Sequence, residues 1–302
     1  MDAWTEMGYP EVDFNAHSQL GVMLLQHTSR DGERLSTNGA FIRPIRRKRR
    51  NLTVLTQAHV NRVIIDPQTK RAHGVEYIRD GDDRTMIVKA RKEVILSAGS
   101  INSPKILMLS GVGPKKHLDY FGIRVIKNLR VGENLHDHVT VRGVIINLNN
   151  TAVTASDEQR MEDLQKYRQT RKGPFTATGP IQVGVFTNTE YSEEKDAPDM
   201  QLTFDSVSVM DYITNPTLEP NAQPLSYYDG FNLRPIVLQP HSRGKVLLNT
   251  TDPIWGAPSI YPNYFGDYRD MEILIAGNYT GLFEMIVGVF TTADSFSRRN
   301  PI

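Results

Sequence analysis

One stretch constrains the fold more than any other: SAGSINSPKILMLSGVG, Ser97 to Gly113, a short apolar helix closed at both ends by residues without bulk. The run before it, Glu93 to Ser97, is aliphatic and β-branched at its centre, which predicts a strand buried on both faces. That run ends at Ala98-Gly99, where a second backbone or a ligand can come close because no side chain stands in the way. Ser103-Pro104 predicts a helix start, since a serine hydroxyl accepts from first-turn amides and proline loses no needed donor there. Ile106, Leu107, Met108 and Leu109 make the helix apolar on nearly every side, and Gly111 supplies a left-handed stop. Gly113-Pro114 then opens a second helix, Lys115 to Tyr120, stopped at Gly122. A tightly packed αβ layer follows, and these residues alone leave open whether it serves a ligand.

The surroundings predict sheets. Residues 51–145 alternate short strands with the turns Asp66-Pro67-Gln68-Thr69 and Arg79-Asp80-Gly81-Asp82, the pattern of a β-meander. Ser156-Asp157-Glu158-Gln159 has the spacing of a capping box, opening a polar helix that runs to Gly173-Pro174. Apolar alternation returns over Gln182–Phe186 and Gln201–Val209, then in a strand-rich block from Leu233 to Leu248. Between them, Asn215 to Pro224 is a Pro- and Asn-rich loop. At 302 residues the chain is long enough for about two domains. The glycine-bracketed layer ends near residue 140, which sets the expected division at 1–140 and 141–302.

Several function classes are disfavoured. A net charge of +1 gives no general attraction to nucleic acid or anionic membrane. No apolar run reaches the ~18 residues of a spanning helix. The start, MDAWTEMGYP, has acidic and aromatic residues where an export signal needs a basic end and an apolar core. There are no cysteines, hence no disulfides and no thiolate chemistry.

The series Gly99-Ser100-x-x-Ser103-Pro104-x-Ile106-Leu107-x-x-Ser110-Gly111-Val112-Gly113 resembles the second signature of the glucose-methanol-choline (GMC) family of flavin-dependent oxidoreductases, in the style of its insect glucose-dehydrogenase-like members. The likeness continues through Val131-Gly132-Glu133-Asn134-Leu135-His136-Asp137-His138, similar to the loop leading out of that family's flavin domain. It reaches back through LTVLTQAHVNRVII and forward into HSRGKVLLNTTDPIWGAPSIYPNYF. The resemblance implies a mixed α/β and α+β chain: a partial, Rossmann-like FAD-binding domain with a β-meander, then a substrate domain on an antiparallel sheet. It implies FAD as cofactor, with Val60 matching a position whose backbone reaches the adenine, Ala98 and Gly99 beside the dinucleotide, and Asn134 toward the flavin. It further implies an alcohol or sugar as hydride donor and a quinone, dye or oxygen as acceptor.

Two tempting runs carry less. His136-Asp137-His138 offers metal-ligand types, but in an extended loop only the two histidines share a side, and no second ligand cluster completes a site. Arg43 to Arg50, RPIRRKRR, lacks the interleaved aromatics of a nucleic-acid patch and is expected to be a solvated surface, with a strand beginning directly at Asn51. The remaining histidines, among them His59, His117 and His241, are expected at the surface or behind a site. Of the family's parts, Gly-x-Gly-x-x-Gly is absent from the sequence, and the stretch after Gly277 holds no histidine for the family's catalytic base. No residue is therefore assigned a catalytic role, and the chain is expected to be a fragment, truncated at both ends and inactive alone. A catalytically silent binding or structural product of a truncated gene is the competing expectation.

Overall fold

The computed structural model describes residues 1–82, 84–147, 156–177, 181–207 and 228–277. In chain order the strands are β1 (Gly21–Leu24), β2 (Ser29–Arg30), β3 (Glu33–Arg34), β4 (Ala58–Ile65), β5 (Ala72–Arg79), β6 (Met86–Lys89), β7 (Val112–Gly113), β8 (Lys127–Asn128), β9 (Val139–Thr140), β10 (Val144–Asn147), β11 (Ile181–Thr187), β12 (Met200–Val207), β13 (Gly230–Val237), β14 (Lys245–Leu247) and β15 (Ser259–Tyr261). The helices are α1 (Asp2–Glu6), α2 (Gly99–Leu109), α3 (Lys115–Tyr120), α4 (Asp157–Thr170) and α5 (Arg269–Gly277). They fall into two compact units, one holding Arg49–Asp137 with His241–Asp267, the other holding Met1–Lys48, the segment from His138 to Pro240 and the helix from Arg269.

In the first unit β4, β5 and β6 form the antiparallel meander, in that order. Its first turn is built by Asp66, whose Oδ1 accepts from the amides of Gln68 and Thr69 and from the Thr69 hydroxyl. Those bonds hold the carboxyl below its ordinary value. Helix α2 packs on the meander through Ser110, whose hydroxyl accepts from the Val63 amide and donates to the Ile106 carbonyl. Behind α2, Met108, Leu118 and Leu248 close a small core, with Leu109, Phe121 and Val131 against it. Gly111 (φ +83°) makes the stop expected of it, and an alanine there would drive its Cβ to 2.4 Å from the Arg124 carbonyl oxygen.

Three local expectations are corrected. Glu93–Ser97 joins no ladder, and Ile95 is 77% exposed, because none of the described strands runs beside it as a parallel strand requires. Helix α2 starts at Gly99 rather than Ser103, and Pro104 lies inside it. The Ser103 hydroxyl instead accepts from the Ala98 amide, just outside the helix. After the exposed turns of the basic run, pairing begins at Ala58, not Asn51.

In the second unit six strands make an antiparallel sheet, ordered β1-β11-β12-β13-β10 with β9 also on β13. Met200, Leu202, Leu233 and Val237 are buried on one face. Helix α5 packs on β12 and β13, and Gly277 lies so close to Met200 that an added Cβ would sit 2.3 Å from its Cε. The serine half of the predicted capping box is formed, with the Ser156 hydroxyl accepting from Gln159 N at 3.3 Å, and α4 ends on Arg171 in the left-handed conformation. The loop expected over residues 215–224 and the stretch after Gly277 lie outside the described residues.

Candidate functional site

The site is assembled from the first turn of α2, the loop over residues 130–136 and strand β14. Three backbone bonds stitch the loop to β14 and to Gly244 just before it: Val246 N to the Gly132 carbonyl at 2.7 Å, Leu135 N to the Gly244 carbonyl at 3.1 Å, and Gly244 N to the Leu135 carbonyl at 2.8 Å. Gly132, at φ +80°, makes this approach possible, since a Cβ there would lie 2.2 Å from the Val246 carbonyl oxygen. Between loop, strand and helix lies a cleft of about 240 Å³ lined by Ser100, Pro104, Arg130, Asn134, His136 and Val246. The cleft is smaller than the ~300–1,000 Å³ of a typical small-molecule pocket.

The electrostatics favour an anionic or strongly polar occupant. No side chain caps α2. The Ser103 hydroxyl is turned back to Ala98, so the first-turn amides keep the partial positive charge of a helix N-terminus. Gly99 takes φ +85° with nothing within 4 Å of an added Cβ, leaving the backbone open on that side. Arg130 adds a cation, paired to Glu133 at 2.9 Å and largely exposed. Beyond the cleft, the Tyr264 hydroxyl donates to Asp137 Oδ2 at 2.7 Å, which raises the tyrosine's pKa. Asp137 is thereby tied to a partner, while His136 lines the cleft.

Of the residues singled out in the sequence, Asn134 lines the cleft, and Ala98 and Gly99 form the entry to the helix whose Ser100 and Pro104 line it. Val60 is not among the lining residues. It sits half-buried in β4 where the ladder slips: Val60 pairs with Tyr77 and Arg62 with Glu76, so Asn61 is left over as a bulge. Asn61 is buried, and its Oδ1 has no hydrogen-bond partner. Sequence reasoning missed Arg130, His136 and Val246 as lining residues. His136 lies inside the loop over Val131–His138 and Arg130 directly before it, whereas nothing local to Val246 signals its place.

A family model described as GMC oxidoreductase matches residues 1–140. Among curated relatives, glucose dehydrogenase [FAD, quinone] of Drosophila pseudoobscura pseudoobscura is 35% identical over 284 residues, covering 92% of this chain and 43% of its own length. Alcohol dehydrogenase [acceptor] of Pseudomonas putida is 32% identical over 269 residues, covering 88% of this chain and 46% of its own length. The chain thus spans less than half the length of these relatives. Among solved structures, a formate oxidase superposes with a TM-score of 0.72 at 23% identity, over 98% of this chain and 52% of that one. A pyridoxine 4-oxidase gives 0.71 at 22% identity, over 95% and 51%. The mixed α/β architecture with antiparallel sheets is therefore the fold of these two solved structures over about half their length.

Proposed function

We propose that this chain is part of an FAD-dependent oxidoreductase acting on the CH–OH group of an alcohol or sugar, and that its share of the cofactor site is the cleft at the start of α2. The observation that carries the reading is the uncapped N-terminus of α2 opening beside Asn134, an arrangement suited to phosphate oxygens. FAD would supply hydride acceptance. The chain's own residues would bind and orient it: the first-turn amides and Ser100 as donors to oxygen, Asn134 as a two-sided amide partner, and the open backbone at Ala98 and Gly99 as the surface against which it lies. Val60, beside the orphaned acceptor Asn61 Oδ1, is the place for an adenine edge, whose amino group is the kind of donor that atom lacks.

The acceptor in turnover would be a quinone, a dye or oxygen, the first following the name of the Drosophila glucose dehydrogenase. A division into a flavin-side segment over 1–140 and a substrate-side segment over 141–302 belongs to the same proposal. The chain alone is expected to bind flavin and turn over little or nothing.

The test is a titration of the purified 302-residue chain with FAD, followed by quenching of flavin fluorescence, on wild type, Asn134→Ala and Gly99→Val. Saturable binding that weakens at least ten-fold in both variants supports the reading. A folded wild-type chain that leaves flavin fluorescence unchanged overturns it, as does wild-type affinity in Gly99→Val. Rapid dye reduction by glucose with the chain alone would overturn the expectation of inactivity. A catalytically silent product would show neither flavin binding nor turnover.

A further inference from the structure

The basic run over residues 43–50 is a motif that the cleft at α2 leaves unused. It puts six cations into eight residues, and no acidic residue occurs between Glu33 and Asp66 to offset them. Residues 46–51 are all exposed, and residues 43–57 form neither helix nor strand. Among the described residues, no carboxylate pairs with any of the six cations, and the hydrogen bonds of residues 44–56 stay local. Arg46 N donates to the Ile42 carbonyl at 2.8 Å, Lys48 N to the Ile45 carbonyl at 2.9 Å, Leu52 N to the Arg49 carbonyl at 3.2 Å, and Arg49 Nε to Asn51 Oδ1 at 3.3 Å. The chain also passes from one compact unit to the other after Lys48.

Such a segment is what an endoprotease requires. Proteases bind several residues in extended form, so a site must open before it is cut, and the rate follows the population of the open form. Opening here breaks only short-range turn bonds at an exposed surface, and repulsion within the run favours extension. The order of the cations narrows the class of protease. Arg49 and Arg50 each follow a basic residue directly and an arginine three positions earlier, Arg46 and Arg47. A protease with carboxylates in its subsites for the first, second and fourth residues before the cut would pair each of those cations with an anion. No other arginine in the sequence follows both a basic neighbour and an arginine three positions back. The nearest alternatives are held: Lys70 of Lys70-Arg71 donates from Nζ to the Pro67 and Ile126 carbonyls, and Arg171, three residues after Arg168, pairs with Glu33 at 3.2 Å. A polyanion would instead need its cations on one face, which five consecutive charged residues cannot share in helix or strand.

We infer that residues 46–51 are a processing site for an endoprotease selective for paired basic residues, cut after Arg49 or Arg50. Water adds across the peptide bond, leaving an arginine carboxylate on one product and a free α-amine on the other. The product is a nicked chain whose two pieces stay together. The N-terminal piece holds β1, laddered to β11 from Gly21 to Leu24, and the buried Trp4, whose ring lies 5.8 Å from that of Phe204.

The test is limited digestion of the full chain with a subtilisin-type endoprotease selective for paired basic residues, read by intact mass, beside a synthetic peptide of residues 41–55. Expected is a first cut after Arg49 or Arg50 at a rate within about ten-fold of the peptide's, slowed by that factor or more when Arg46→Ala and Arg47→Ala are combined. The products should co-elute on size exclusion and separate in urea. The comparison with the peptide uses wild-type protein, so it decides the matter even where the variant melts early. A native chain that resists while the peptide is cut overturns the inference, as does a first cut elsewhere or an unchanged rate in a folded variant. Products that part without denaturant overturn the claim that β1 and Trp4 hold the nicked chain together. Resistance combined with retention on vesicles of equal phosphatidylserine and phosphatidylcholine overturns it in favour of an anionic surface as the partner of the run.

Discussion

Gly132 offers the sharpest test of how the cleft is held. Replacing it with alanine has two separable costs. The first is backbone strain: at φ +80° an L-residue costs about 1 kcal/mol more than glycine. The second is steric. The new Cβ would lie 2.2 Å from the Val246 carbonyl oxygen, a backbone atom that no rotamer change can move. Reaching an ordinary contact needs a shift of roughly 1 Å in close-packed surroundings. A shift of that size breaks the 2.7 Å bond from Val246 N to the Gly132 carbonyl. Losing that bond beside a buried Val246 adds about 1–3 kcal/mol.

Gly122 is the internal control. It has φ +65° with nothing within 4 Å of an added Cβ, so Gly122→Ala incurs the strain alone, about 1 kcal/mol. Urea unfolding should thus place Gly132→Ala about 2–4 kcal/mol below wild type and Gly122→Ala about 1 kcal/mol below. With a slope near 2 kcal/mol/M, the midpoints should fall by about 1–2 M and about 0.5 M. Midpoints that coincide within about 0.2 M would refute the claim that the loop is pinned by close approach to β14.

Further outcomes follow from other contacts. His117 Nε2 accepts from Leu248 N at 3.0 Å, and burial lowers its pKa below the ordinary 6.5. The unfolded chain therefore takes up the proton first, so stability should be complete above pH 6.5 and decline as pH falls below it, a slope that His117→Leu should flatten in melts across pH 5–8. Lys105, buried and donating from Nζ to the Gly256 carbonyl at 2.9 Å, should tolerate methionine at a cost of about 1 kcal/mol, but lose 3 kcal/mol or about that with glutamate, read by denaturant midpoint. Asp199 accepts from Thr189 N at 2.8 Å and from its hydroxyl at 2.6 Å, both buried, so Asp199→Ala should cost about 2–4 kcal/mol in the same assay. Asn134→Ala, exposed in the loop, should leave the melt unchanged within about 0.5 kcal/mol while weakening flavin binding.

Local chemistry was legible in the sequence and distant pairing was not. The Asp66 turn, the Ser156 cap and the Gly111 stop are made by groups within a few residues of one another, so spacing alone announces them. Strand β1 pairs with β11, Gly21 opposite Phe186, and no feature of GVML names a partner that far along the chain. The same limit hid Val246 from the cleft. Glu93–Ser97 shows the converse error: composition says what a strand would look like, but a ladder needs a neighbour, and the described residues contain none for it. Ser103-Pro104 carries a start signal, yet Gly99 accommodates the left-handed entry five residues before the proline and the helix begins there. For the proposed cofactor cleft, Ala98, Gly99 and Asn134 could be named from the family resemblance, whereas the register that sets Asp205 opposite Asn232 appears only once two strands are paired.

The stitching of the 130–136 loop to β14 also sets an order of events during synthesis. The loop and α2 leave the ribosome early, but the strand that holds Gly132 and Leu135 in place arrives about 110 residues later, some 5–20 s at ordinary elongation rates. Throughout that interval the polar mouth of the cleft is half a structure. A nascent chain stalled before Val246 should therefore carry α2 without the cleft, and ligand capture can begin only after the polypeptide has extended through residue 246.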